Sequence, residues 1–145
     1  MFVVDTNLLV YAANEGVREH ARARELLEAW RVGQEPWFLT WSIAYEFLQV
    51  TTYRRLHRQM LPLADAVRFL EGVLASPAAG LLTETPRHSS IVQELALEHQ
   101  RLWGPQVHDL HIAALMKEHG IGEIRTADTD FHQFKFLKVV NPLTA

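Results

Sequence analysis

Short apolar runs alternate with longer stretches of helical period along nearly the whole chain. Phe2 to Asp5 reads as a buried strand, and so do Trp37-Phe38-Leu39, Leu81 to Thr85, Glu123 to Thr126 and Leu137 to Val140. Between them, apolar positions recur every three or four residues. Arg18 to Arg31 sets Ala21, Leu26, Leu27 and Trp30 against Arg22, Arg24, Glu25 and Glu28, the pattern of an amphipathic helix ended by Gly33. Further helices are predicted over Leu8 to Ala13, from a cap at Thr40 or Ser42 to about Tyr53, over Leu63 to Leu74, from about His88 to Leu102, and from Val107 to His119 before Gly120. Ser76-Pro77 and Gly80 mark a loop.

Strands alternating with helices indicate an α/β fold, a three-layer α/β/α domain with a parallel sheet. If the first three strands wind one way and the chain then crosses back to set the fourth beside the first, the strand order is 3-2-1-4-5. The switch in winding then falls between strands one and four, and open α/β sheets bind ligands at the carboxyl ends of strands at such a point. Asp5 follows strand one and Asp128 follows strand four, so both flank that crevice.

At 145 residues the chain is expected to form one domain, residues 1–145. It has no cysteine, which removes disulfides and thiolate chemistry and fits a reducing cytoplasm. No basic segment with a long apolar core opens the chain, and no apolar run reaches the ~18 residues of a membrane span. The formal net charge of −3 decides little, because a slightly acidic total can hide a basic patch.

Placement of the acids changes the picture more. Of five aspartates, four are Asp5, Asp109, Asp128 and Asp130. Asp109 shares a helix face with Ile112, Ala113 and Met116, and a carboxylate on an apolar face is costly without a cation. Glu46 lies beside Ile43 and Val50, among Trp41, Tyr45 and Phe47. Each acid also has a plain structural reading. Asp5 suits an N-cap, Asp109 a favourable place near a helix N-terminus, Glu46 a solvated helix surface, and Asp128 with Asp130 an Asx-rich turn. Taken together, Asp5, Glu46, Asp109 and Asp128 look like one site, with Asp130 as a candidate fifth member. No lysine lies near them in sequence, which argues against ion pairing as the neutraliser and leaves only Arg125 open for that role. Hard oxygen ligands of this kind select Mg²⁺ or Mn²⁺, which activate water and stabilise in-line displacement at phosphorus.

His108 and His111 bracket Asp109 and suggest zinc, but no second pair of ligands with suitable spacing accompanies them. Arg54, Arg55, His57 and Arg58 form the one dense basic cluster, read either as a solvated face or as a track for nucleic-acid phosphates.

The four acidic blocks resemble those of the PIN-domain ribonucleases, and within them the VapC-like toxins of type II toxin–antitoxin pairs. Val4-Asp5-Thr6-Asn7-Leu8-Leu9 is similar to the family's first motif, and Trp41-Ser42-Ile43-Ala44-Tyr45-Glu46 to its second. His108-Asp109-Leu110-His111-Ile112-Ala113-Ala114-Leu115 with Glu118-His119-Gly120 resembles the third, and Thr126-Ala127-Asp128-Thr129-Asp130-Phe131 with Asn141-Pro142-Leu143 the last. The resemblance implies the 3-2-1-4-5 sheet, Mg²⁺- or Mn²⁺-dependent endoribonuclease activity, a homodimer, and inhibition by a cognate antitoxin whose C-terminal segment covers the site. By motif, Asp5, Glu46, Asp109 and Asp128 become the catalytic metal-binding acids, with Asn7 and Thr126 supporting them and Asp130 as a further participant. The rival reading is a non-catalytic RNA-binding or protein-interaction module on the same fold. A haloacid-dehalogenase-like phosphatase would need an aspartate where Asn7 stands. A receiver domain would need an aspartate after the third strand, where this chain has Thr83-Glu84-Thr85.

Overall fold

The computed structural model describes residues 1–53 and 60–144. Five strands and six helices follow one another as β1 (Phe2–Val4), α1 (Thr6–Ala13), α2 (His20–Val32), β2 (Trp37–Thr40), α3 (Trp41–Thr52), α4 (Leu63–Leu74), β3 (Ala79–Leu82), α5 (His88–Glu98), α6 (Gln106–Glu118), β4 (Glu123–Arg125) and β5 (Lys138–Val140). The sheet is parallel throughout, in the order β3-β2-β1-β4-β5. β1 is its centre: Phe2 and Val3 pair with Trp37 and Phe38, while Val3 and Val4 pair with Ile124 and Arg125.

Parallel crossovers are right-handed. The connections β1 to β2 and β2 to β3 step one way, so α1 to α4 cover one face. The connection β3 to β4 steps back, so α5 and α6 cover the other. Helix packing follows this division: α1 meets α2 and α3, α3 meets α4, and α5 meets α6. A strand covered on both faces must be apolar on both sides, and Phe2, Val3 and Val4 are each fully buried. Trp37, Leu39, Ile43, Phe47, Leu95, Met116 and Ile124 complete a continuous core.

Sequence patterns and observed elements differ in two informative places. Gly80 does not mark a loop but lies inside β3, opposite Phe38. A Cβ there would come within 3.0 Å of the Phe38 ring, so the glycine lets that ring lie flat over the strand. β3 accordingly runs from Ala79 to Leu82 instead of Leu81 to Thr85. Helix α5 ends at Glu98 rather than Leu102, where the His99 ring bonds the carbonyls of Leu95 and Gln133 and ties the helix end to the chain before β5.

The helix α6 carries Asp109 and delivers the chain to β4, so its ending matters. Gly120 sits at φ +68°, the Ile121 N–H donates to the Met116 carbonyl at 2.9 Å, and the Gly120 N–H donates to that of Lys117. These bonds form a Schellman cap, which needs a left-handed residue at this point. No atom lies within 4 Å of a Cβ built on Gly120, so replacement costs backbone energy alone. We expect Gly120→Ala to destabilise the fold by about 1–2 kcal/mol. Urea unfolding reads this as a lower midpoint at unchanged m-value; an unchanged midpoint would show that the cap carries no strain for alanine.

Candidate metal centre

Asp5 is the first residue beyond β1. Its backbone N–H donates to the Arg125 carbonyl, extending the β1–β4 ladder by one bond, and its side chain caps α1 by accepting from Thr6 N at 2.8 Å. The capping role and the site role therefore belong to the same side chain. Asp5 Oδ2 accepts from Thr126 Oγ1 at 2.6 Å and from Asn7 Nδ2 at 3.0 Å. Asn7 in turn donates to Thr126 Oγ1 and accepts from Ala127 N, so the end of β1 and the end of β4 are laced together by side chains. Thr126, fully buried, also accepts from Asp128 N and thereby shapes the turn that carries Asp128.

Helix α3 is capped by Thr40, whose Oγ1 accepts from Ile43 N. The same helix brings Glu46 to Thr6, where Glu46 Oε2 accepts from Thr6 Oγ1 at 2.7 Å. Asp109 comes from the first turn of α6 and makes no hydrogen bond among the described residues, while Ile112, Ala113 and Met116 below it are buried. Asp5, Glu46, Asp109 and Asp128 line one open cleft of about 370 Å³, together with Tyr11 and Val50. Asp5 is buried at its floor, Asp109 is half-buried, and Glu46 and Asp128 are exposed at its mouth.

Among the described residues, no lysine or arginine lines this cleft. Arg125, the cation nearest in sequence, is committed elsewhere: its guanidinium stacks 3.3 Å over the Phe2 ring and pairs with Glu123 and Glu35. Asp130 does not line the cleft. It opens the short 3₁₀ turn Asp130–Gln133 and donates its N–H to Asp128 Oδ1, while its charge acts on Asp109. His108 faces an adjoining cleft that shares Glu46 and is further lined by Ser42, Tyr45, Gln49 and Ile112. His111 turns the other way, toward Glu84 and Ser42. Arg54, Arg55 and Arg58, the basic cluster read from sequence, lie outside the described residues.

The electrostatic consequence is plain. Burial, with added repulsion from Glu46 and Asp128, pushes the Asp5 carboxyl up to about 6, against the pull of the hydrogen bonds from Thr126 and Thr6. Burial and the charges of Asp5, Asp130, Asp128 and Glu46 push Asp109 up to about 7. The donor set is all oxygen. Both Asp109 oxygens and Glu46 Oε1 have no partner among the described residues, and the buried Asp5 keeps acceptor capacity. Such a set fits a hard divalent cation.

Comparison with known proteins agrees with this geometry. The PIN-domain family profile matches residues 2–137. The chain belongs to the PIN-domain family. Ribonuclease VapC33 of Mycobacterium tuberculosis is 34% identical to it over 143 residues, covering 99% of both chains. Ribonuclease VapC43 of the same species is 35% identical, covering 99% of this chain and 96% of its own. Among solved structures, VapBC2 from Rickettsia felis, bound to a DNA fragment from its promoter, has a similar fold at a TM-score of 0.66 and 17% identity, covering 97% of each chain. M. tuberculosis VapC20, a toxin that cleaves the sarcin–ricin loop, has a TM-score of 0.64 at 20% identity, covering 91% of this chain and 93% of its own.

The two raised carboxyls set the sign of the pH response of this PIN domain. A carboxyl that titrates higher in the fold than in the unfolded chain binds protons preferentially in the folded state, so its ionisation destabilises the fold. The loss accrues as pH rises from the ordinary 3.8 to about 6 for Asp5 and about 7 for Asp109. In metal-free buffer, the melting temperature should therefore fall between about pH 5 and about pH 7 and then level off. Asp109→Asn should melt higher than wild type at neutral pH and show a shallower slope. Calorimetry over that range checks both, and a wild-type melting temperature that rises with pH would contradict the assigned repulsion.

Proposed function

We propose that this PIN domain, residues 1–145, is a divalent-metal-dependent endoribonuclease and the toxin of a toxin–antitoxin pair. The carrying observation is the meeting of four carboxylates, from the β1 end, α3, α6 and the β4 end, in one cleft that no cationic side chain among the described residues lines. The ribonuclease names of its full-length relatives support the same reading.

Asp5, Glu46, Asp109 and Asp128 would hold Mg²⁺ or Mn²⁺. A cation there supplies Lewis acidity that lowers the pKa of a water and offsets charge at the phosphoryl oxygens. The chain's own residues do the positioning. Asn7 and Thr126 fix the Asp5 carboxylate through three hydrogen bonds among themselves, and Thr6 fixes Glu46. Asp130 acts by charge at the rim, not as a ligand from the cleft wall. In the metal-free cleft the Asp109 carboxyl is raised to about 7, so protons compete with the cation for it, and metal affinity should fall as pH drops below that value.

Next to the acids, Trp41 and Tyr45 expose large faces with ring centroids 6.4 Å apart, and the adjoining cleft opens beside them. Exposed aromatics beside a phosphate-cleaving site suit unpaired bases, which stack on such rings. Arg54, Arg55 and Arg58 supply the dense positive charge in sequence, and we assign them to phosphates rather than bases. Replacing all three with alanine should weaken binding to unrelated single-stranded RNAs alike. It should also reduce the salt slope by about 0.7 for each phosphate that is no longer neutralised. Binding by an Asp109→Asn background across a salt series tests this, and an unchanged slope would return the cluster to a solvated face.

Tyr53, Met60, Leu63 and Val67 are exposed around the end of α3 and along α4, and we assign this apolar surface to a homodimer. The partners are thus RNA, a second copy and an antitoxin. No helix among the described residues is long and apolar enough to cross a membrane, and a cytoplasmic location follows from the RNA substrate.

The decisive assay is cleavage of single-stranded RNA with and without Mg²⁺ or Mn²⁺. Asp5→Asn and Asp109→Asn should each abolish metal-dependent cleavage while remaining folded. Wild-type cleavage by both variants would remove the acids from the reaction, and no metal binding by wild type would favour a non-catalytic module.

A further inference from the structure

A second convergence of ligand-type side chains lies away from the four acids. Glu84 is in the connection between β3 and α5, His88 is the first residue of α5, and His111 is in the second turn of α6. One ligand atom from each lies within 4.8 Å of those of the other two. The imidazoles of His88 and His111 meet edge to face, with centroids 5.6 Å apart and planes at 87°. His111 Nε2 lies 2.9 Å from Glu84 Oε1.

The support behind these groups is more informative than their proximity. The Glu118 side chain is fully buried. Its Oε1 accepts from both the N–H and the hydroxyl of Thr85, at 2.9 and 2.8 Å. Its Oε2 lies 2.6 Å from His88 Nδ1. A buried carboxylate with three donors has the protein hydrogen bonds its charge requires. It therefore takes the Nδ1 proton of His88 and fixes that ring in the tautomer whose Nε2 carries the lone pair. Carboxylate-backed histidines of this kind are the usual outer support of metal-binding imidazoles, because the bond fixes both tautomer and ring orientation. On the other side, His111 Nδ1 approaches Ser42 Oγ at 3.3 Å, which leaves Nε2 turned toward Glu84.

We propose that Glu84, His88 and His111 form a second divalent-cation site, for Zn²⁺ or another late first-row ion, with a remaining position left to water. Two imidazole nitrogens and one carboxylate make a three-ligand set of the kind that holds zinc with an open fourth position. The same donors select against Mg²⁺, which prefers an all-oxygen octahedron. Glu84 is half-exposed, so an ion can enter from solvent. The two sites then differ in donor chemistry and take different metals. An ion bound here clips the segment after β3 to α6, the helix that carries Asp109 two residues before His111.

The test is titration of chelator-stripped, tag-free protein with Zn²⁺ in excess Mg²⁺, by calorimetry and competition with a chromophoric chelator. One Zn²⁺ per chain should bind in a form that Mg²⁺ does not displace. His88→Asn keeps an N–H donor for Glu118 and removes Nε2, and His111→Asn does the same toward Ser42. Each should weaken Zn²⁺ binding by about 100-fold or more, whereas Asp5→Asn should leave it unchanged. A readout needing no variant is the Co²⁺-loaded wild type, which should show the intense visible bands of a four-coordinate, nitrogen-bearing site. Unaltered Zn²⁺ affinity in both histidine variants, loss only in Asp5→Asn, or a weak octahedral Co²⁺ spectrum would overturn the proposal. None of these measurements depends on RNA cleavage, so their failure and that of the nuclease reading are distinguishable.

Discussion

Mutual repulsion among carboxylates at the carboxyl ends of the two central strands is the constraint around which this chain is organised. Asp5 is buried where β1 ends, and its charge is opposed at close range by Glu46 and Asp128 and shared with Asp109. Water cannot reach it well enough to screen that charge. The fold answers with hydrogen bonds from Thr6, Asn7 and Thr126, each from a residue that also holds local structure: the start of α1, the β1–β4 link and the turn before Asp128. These bonds lower the cost of ionising Asp5 without removing it, so the carboxyl still lies well above its usual range. Asp109 has no such donors among the described residues and lies higher still. A site that a sequence maintains at the expense of its own stability is the pattern expected where function needs charge in place.

The sheet order explains why the charges meet at all. With β1 between β2 and β4, the chain leaves the sheet in opposite directions on either side of β1, and the ends of β1 and β4 open onto a common crevice. Helix α3 enters from the β2 side with Glu46, and α6 from the other face with Asp109. Neither acid is near Asp5 in sequence. Membership in the PIN-domain family places this arrangement among proteins of known architecture. The hydrogen bonds described above show what holds it in this chain.

Much of this was legible in the residues, for identifiable reasons. Strands covered on both faces appear as apolar runs, which located β1 and β2 within a residue or two; the shorter β4 and β5 were located as closely around Ile124 and Val139, and Leu63–Leu74 carried its helical period from end to end. Asp5 and Asp109 stood out because an acid beside Val4 or above Ile112 conflicts with its apolar setting. Gly80 was misread because a glycine in a strand and one in a loop look alike until the Phe38 ring lies over it. The end of α5 depends on a bond from His99 to Gln133, thirty-four residues away, which no local pattern contains. Arg125 was left open by sequence as a neutraliser of the acids, and alternation along β4 sends its side chain to Phe2 and Glu35 instead. Glu84, His88 and His111 escaped for the same reason as the bond from His99. A search by spacing pairs His111 with His108 on its own helix, whereas the fold pairs it with residues of the β3–α5 connection.

The claim that these acids exist to be neutralised by a metal is tested most directly by anomalous diffraction from crystals of the protein soaked in Mn²⁺. The account predicts a peak in the cleft, with Asp5 and Asp109 both contributing oxygens to it and Glu46 or Asp128 completing the shell directly or through water. Anomalous density confined to other surfaces, with Asp5 and Asp109 still facing one another across a cleft that holds solvent alone, would contradict it.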